Sequence, residues 1–197
     1  ILDRETNIGQ PIFEEAQKAR LGVVVHAEHF SANNVDDQYI LWNNYYEYQF
    51  TNADKVDFFI VATDRQKEIL AEQFAKYTNH QPAIYTIPVG SLASLPQNEK
   101  RTPFSMITAS RLATEKHIDW LVRAVVRAKK ELPALSFDIY GKGGEEGKLR
   151  SLIDELGAAD YIHLKGHANL EKIYKNYEVY LSASTSEGFG LTLMEAI

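Results

Sequence analysis

The chain has 197 residues, 45% of them hydrophobic, with 21 lysines and arginines against 27 aspartates and glutamates and a formal net charge of −6. That apolar fraction suits a protein with a buried core and excludes disorder of the whole, while the acidic balance argues against a nucleic-acid partner. With no cysteine, neither disulfides nor thiolate metal sites are available, which fits a cytoplasmic setting.

Residues 1–3 read as the end of a strand. A helix is predicted over 12–20, a strand over 22–26, a helix over 40–52, a strand over 58–62, a helix over 64–77 and a strand over 84–87. Thr63 and Gln66 form a capping box for the third of these helices. The segment 89–103 breaks the rhythm: it holds Gly90, Ser91, Ser94, Pro96, Gln97, Asn98 and Pro103, without helical or alternating period. Beyond it, strands are predicted over 104–109, 136–140, 161–164 and 179–182. The helices between and after them fall at 117–131, 145–156, 170–176 and from 192 onward. Ile118, Leu121, Val122, Val125 and Ala128 make an apolar stripe, with Arg123, Arg127, Lys129 and Lys130 facing water.

Strands alternating with helices over short connections imply an α/β fold built on parallel sheets. The pattern divides into a unit over 1–90, a linker over 91–103 and a unit over 104–197. No run of about 18 apolar residues could span a bilayer. The start resembles a strand end and Met194-Glu195-Ala196-Ile197 the first turns of a helix, so a piece of a longer protein, truncated at both ends, is expected.

In open parallel sheets, ligands sit beyond the carboxyl ends of the strands. Tyr140-Gly141-Lys142-Gly143-Gly144-Glu145 is such a place, where glycines let the backbone approach a ligand or another segment of chain. A βα turn without a ligand fits it equally well, and Gly144 comes too early for a dinucleotide fingerprint. Between the strand at 104–109 and the helix at 117, Arg111 and Lys116 could converge on a diphosphate; by themselves they also fit solvated surface charges. The chain has no Asp-x-Asp pair to hold a divalent cation, so no metal is expected, and such cations would stabilise the leaving group.

Ser182-Ala183-Ser184-Thr185-Ser186-Glu187-Gly188-Phe189-Gly190-Leu191-Thr192-Leu193-Met194-Glu195 passes from a strand through an acid and Gly-x-Gly into a helix. Backbone amides from Gly188 to Thr192 would be open to ligand oxygens, and Glu187 and Glu195 could reach different hydroxyls of one ligand. Thr192 and Glu195 also fit a capping box. In His26-Ala27-Glu28-His29, His26 could meet a sugar hydroxyl or lie tucked under a loop; His26 and His29 lack a further ligand for a metal. Backbone groups of His167 and Ala168 could pair with a nucleobase edge, though alone they form a surface turn.

Glu187-x7-Glu195 in Glu-Gly-Phe-Gly-Leu-Thr-Leu-Met-Glu, Ser-Arg-Leu-x3-Lys at 110–116 and Tyr-Gly-Lys-Gly-Gly at 140–144 together resemble the donor side of family-4 retaining glycosyltransferases of the GT-B fold. Val24-Val25-His26-Ala27-Glu28-His29 and Ile40-Leu41-Trp42-Asn43-Asn44-Tyr45-Tyr46 are similar to the catalytic subunits of bacterial accessory-secretion protein O-N-acetylglucosaminyltransferases. The resemblance implies two Rossmann-like domains facing across a cleft, 1–90 being part of the acceptor side and 104–197 part of the donor side. It implies metal-free, cofactor-free transfer of N-acetylglucosamine from UDP-N-acetylglucosamine to Ser or Thr hydroxyls of a serine-rich-repeat adhesin, with retention. A non-catalytic partner subunit is implied, as is a cytoplasmic place with peripheral association at the inner face of the cell membrane.

Carried onto matching positions, Arg111 and Lys116 would bind the diphosphate, and His167 and Ala168 the uracil. Leu191, Thr192 and Glu195 would complete the UDP site, with Glu195 on the ribose hydroxyls. Glu187 and His26 would act at the reacting sugar, which Gly188, Phe189 and Gly190 would help hold. The family's glycine loop over the diphosphate is absent from this chain. Alternative readings are a UDP-sugar transferase with another sugar or acceptor, such as glucose onto a wall polymer, and a non-catalytic partner subunit of the same fold. A Rossmann oxidoreductase is disfavoured by the glycine spacing.

Overall fold

Runs of β-branched and aromatic residues become the strands of two parallel sheets in the computed structural model, which describes residues 2–3, 15, 19–26, 53–90, 100–185, 187 and 189–196. Ile1–Gly90 with Ser186–Phe189 forms one unit, and Ser91–Thr185 with Gly190–Ile197 the other.

In the first unit, β1 (Leu2–Asp3), β2 (Gly22–Val25), β3 (Phe58–Val61) and β4 (Ala83–Thr86) lie in that order. Val23 is opposite Leu2 on one side and Phe59 on the other. Val23, Val25, Phe59 and Val61 are buried while Val24 and Ile60 between them are not fully so, as strand alternation requires. Leu70 and Phe74 of helix α1 (Asp64–Tyr77) cover this face, with the Phe59 and Phe74 rings 4.8 Å apart. The helix starts where the sequence places it. Thr63 Oγ1 accepts the Gln66 N–H at 3.1 Å, and Gln66 Oε1 reaches back to accept the Ala62 N–H at 2.9 Å. The helix expected over 12–20 lies outside the described residues except at 15, 19 and 20, and that over 40–52 lies wholly outside them.

The second unit holds β5 (Thr102–Ala109), β6 (Ser136–Tyr140), β7 (Ile162–Gly166) and β8 (Tyr177–Tyr180) in the order β7-β6-β5-β8. One face is covered by α2 (Ile118–Ala128) and α3 (Glu146–Glu155), which pack Leu121, Val122, Val125, Leu149 and Ile153 on Phe137 and Ile139. The alternate residues Ile107, Ala109 and Tyr140 meet Tyr174, Leu170 and Ile173 on the other face. The last helix is α4 (Leu191–Ala196).

Strand bounds move by a residue or two, β8 from 179–182 to Tyr177–Tyr180 among them, and other local readings change. β5 begins at Thr102, two residues before its expected start, because a register shift between Thr102 and Met106 accommodates Pro103. At that shift Phe104 has φ 58 and donates its N–H to Glu178 Oε2 at 2.6 Å. α2 is shorter than 117–131, since His117 sits in the left-handed region at φ 45 and Pro133 follows its end. Lys129 does not simply face water: its Nζ donates to the Leu135 carbonyl at 2.7 Å and lies 4.5 Å from the centre of the Tyr161 ring. The helix expected over 170–176 is a run of turns ending in a 3-10 helix, Tyr174–Asn176.

A polar cluster fastens β8 across β5. Asp138 of β6 accepts from the Tyr177 hydroxyl at 2.5 Å, contacts His163 Nδ1 at 2.8 Å and lies 3.6 Å from Lys165 Nζ. Burial, and then the bond to Asp138, push the Tyr177 hydroxyl far above the usual tyrosine range, so it remains a donor.

Candidate functional site

The order β7-β6-β5-β8 reverses direction between β5 and β8, the point at which open parallel sheets leave a crevice at their carboxyl edge. Four loops leave that edge, and backbone hydrogen bonds lace them together. Ser110 N–H donates to the Tyr140 carbonyl at 3.1 Å, Leu112 N–H to Lys142 at 3.0 Å and Glu145 N–H to Leu112 at 3.1 Å. Gly141 N–H donates to Gly166 at 2.8 Å, and Thr185 N–H to Glu115 at 3.2 Å. The loops after β5, β6, β7 and β8 thus form one connected rim.

Gly141 and Gly143 serve this lacing. Gly141 has φ +138, and a Cβ there would stand 1.8 Å from the Ser110 carbonyl oxygen. A Cβ on Gly143 would stand 2.2 Å from the Leu112 carbonyl oxygen. Close approach to another chain segment is thus one use of Gly141 and Gly143.

Arg111 lies in the first loop, its Nη2 2.6 Å from Glu115 Oε1. Lys116 is half-buried at the end of the 3-10 helix Thr114–Lys116, where its N–H donates to Ala113 at 3.0 Å. His167 is exposed just after β7, and Ala168 is partly buried against the Tyr140–Tyr174 cluster. All four belong to the rim of the second unit.

The acid pair is placed less uniformly. Glu187 is exposed, in the stretch that groups with the first unit; Gly188 lies outside the described residues. Phe189 is half-buried, and Gly190, at φ +75, leads into α4, whose first residue Leu191 is exposed. Thr192 is the second residue of α4 rather than its cap, which removes the capping-box reading of Thr192 and Glu195. The Thr192 hydroxyl instead meets the Tyr180 hydroxyl at 2.9 Å, which is also 3.2 Å from the Ala109 carbonyl, so α4 is tied to the end of β5. Glu195 is half-buried in α4. Burial raises the Tyr174 hydroxyl well above the usual tyrosine range, with the Tyr180 hydroxyl and the negative charge of Glu195 adding to it.

His26 is exposed directly after β2, in the first unit. Ala27, Glu28 and His29 lie outside the described residues. Among the described residues, no three His, Asp or Glu side chains cluster to hold a metal ion, and no helix is long and apolar enough to cross a membrane. Glu115 and Thr185 were missed in the sequence as members of the rim. The spacing of four between Arg111 and Glu115 is the signal that could have found the first.

Comparison with known proteins gives this rim a setting. The chain is similar to the UDP-N-acetylglucosamine-peptide N-acetylglucosaminyltransferase GtfA subunit of Streptococcus pneumoniae serotype 4, with 72% identity over 100% of this chain and 39% of that protein. It resembles the crystal structure of the pneumococcal O-GlcNAc transferase GtfA in complex with UDP and GlcNAc, with TM-score 0.86 and 71% identity over 98% of this chain and 38% of that one. The corresponding values for a crystal structure of a GtfA/B complex are 0.75, 71%, 98% and 39%. The chain therefore spans 39% of the length of the curated relative, and its α/β architecture is that of the GT-B glycosyltransferases. The family described as "Glycosyl transferases group 1" matches residues 94–197, a stretch that contains all four laced loops and exceeds half the chain; this protein belongs to that family.

Proposed function

We propose that the protein containing this chain transfers N-acetylglucosamine from UDP-N-acetylglucosamine to Ser or Thr hydroxyls of a serine-rich-repeat adhesin, with retention at the anomeric carbon. The observation that carries the reading is the laced rim at the β5/β8 reversal, which presents Arg111 and Lys116 beside the loop leading to Glu187. Identity of 72% across the whole chain to a transferase that uses this donor supports the choice of sugar.

In the transfer, the bond from C1 of the sugar to the UDP oxygen breaks, a bond from C1 to the acceptor hydroxyl oxygen forms, and the acceptor's proton passes to the departing diphosphate oxygen. Negative charge gathers on the departing diphosphate, and Arg111 and Lys116 offset it without a metal ion. His167 and Ala168 take the uracil; Leu191, Thr192 and Glu195 complete the UDP site, with Glu195 on the ribose. Glu187 and His26 act at the sugar, with Gly188, Phe189 and Gly190 holding it. Residues 1–90 belong to the acceptor-side domain and 104–197 to the donor domain, joined by 91–103. The likeness to a chain of a GtfA/B complex supports a non-catalytic partner subunit. The setting proposed is the cytoplasm, with peripheral membrane association.

Removing the Lys116 ammonium tests the diphosphate assignment. In the full-length protein, Lys116→Ala is expected to weaken UDP binding by about 1.5–3 kcal/mol, the range for a hydrogen bond to a charged group. Calorimetry in the presence of EDTA measures this together with metal independence. Equal UDP affinity in the variant, or no UDP binding to the unaltered protein until a divalent ion is supplied, contradicts the reading.

A further inference from the structure

We infer that Glu115 is a positioning residue for the donor diphosphate: its carboxylate holds the Arg111 guanidinium in a fixed orientation at the reversal between β5 and β8. The inference rests on the proposed reading of Arg111 as a diphosphate ligand.

The geometry is asymmetric. The Arg111 side chain is 54% exposed and that of Glu115 13%, with Nη2 and Oε1 2.6 Å apart. An ion pair with so exposed a partner contributes little to folding, so its main consequence lies in where the guanidinium points. Guanidinium is a planar fork with five N–H donors; a contact at one terminal nitrogen leaves other donors available to an oxyanion.

Glu115 is itself anchored from two directions. It is the middle residue of the 3-10 helix Thr114–Lys116, which is closed by Lys116 N–H to Ala113 at 3.0 Å and His117 N–H to Thr114 at 3.1 Å. Its carbonyl accepts the Thr185 N–H at 3.2 Å, and Thr185 Oγ1 lies 3.5 Å away. One residue therefore fixes the loop after β8 through its backbone and the arginine through its side chain. A long side chain held in advance loses less freedom when ligand arrives, and that difference appears as affinity.

The carboxylate also subtracts positive charge from the site, so its removal could act in either direction. Positioning predicts loss. The test measures affinities of the full-length protein for UDP and for uridine in the unaltered form, Glu115→Ala, Arg111→Ala and the double variant. Glu115→Ala is expected to weaken UDP about two- to tenfold while leaving uridine unchanged, since only the diphosphate meets Arg111. In the Arg111→Ala background the same substitution is expected to change nothing further.

Unchanged or tighter UDP binding in Glu115→Ala overturns the inference, as does an equal loss for UDP and uridine, which would indicate general damage. If Arg111→Ala weakens UDP while Glu115→Ala does not, positioning alone fails. If Arg111→Ala binds UDP normally, the diphosphate reading of Arg111 fails first.

Discussion

Alanine in place of Gly141 is expected to destabilise the full-length protein by roughly 2–4 kcal/mol and to weaken UDP binding at the same time. Two costs combine. The backbone stands at φ +138, where L side chains are strained, and the new Cβ would sit 1.8 Å from the Ser110 carbonyl oxygen. That obstacle is main chain at the end of β5, so relief requires moving the loop that carries Arg111. The bonds from Ser110 N–H to Tyr140 and from Gly141 N–H to Gly166 would be disturbed together. Gly144→Ala is the control, because no atom lies within 4 Å of the added Cβ. Thermal unfolding with and without UDP reads both effects; an unchanged midpoint and affinity for Gly141→Ala would refute the lacing account.

The second large effect concerns turnover rather than stability. Glu187→Gln in the full-length protein is expected to reduce transfer on the order of 100-fold, the lower end of the range for removing one preorganised group that stabilises a transition state. Glu187 is exposed, so the substitution should leave the unfolding midpoint close to that of the unaltered protein. The substitution removes charge while preserving shape. Unchanged turnover would remove Glu187 from the reaction, and a matching fall in stability would show a structural role instead.

Much of the architecture was legible because each strand is a short β-branched or aromatic run between helical stretches, and the structure adds which residues of each run face the core. Val23, Val25, Phe59 and Val61 point to one face, and Phe137 and Ile139 face one core cluster while Tyr140 faces the other. Thr63 and Gln66 signalled α1 through a local hydrogen bond that needs no tertiary context. What escaped depends on contacts distant in the chain. Pro103 hides the start of β5, since only pairing with β8 permits the shifted register there. Lys129 looks like a solvated cation until the Leu135 carbonyl and the Tyr161 ring are placed beside it. At the candidate site, Arg111, Lys116 and the glycine turn could be picked out by residue type and position at strand ends. Glu115 was signalled only by its spacing of four from Arg111, and Thr185 by nothing, because its importance comes from joining loops 70 residues apart.

A rim that serves UDP-N-acetylglucosamine and a hydroxyl acceptor must discriminate among donors. The most direct test incubates the full-length protein and the proposed partner subunit with a Ser-rich peptide and, separately, UDP-N-acetylglucosamine, UDP-N-acetylgalactosamine, UDP-glucose and UDP-galactose. Mass spectrometry of the peptide should show addition of one or more N-acetylhexosamines from UDP-N-acetylglucosamine, at a rate exceeding that from the other donors. Hexose addition from UDP-glucose with none from UDP-N-acetylglucosamine would contradict the account.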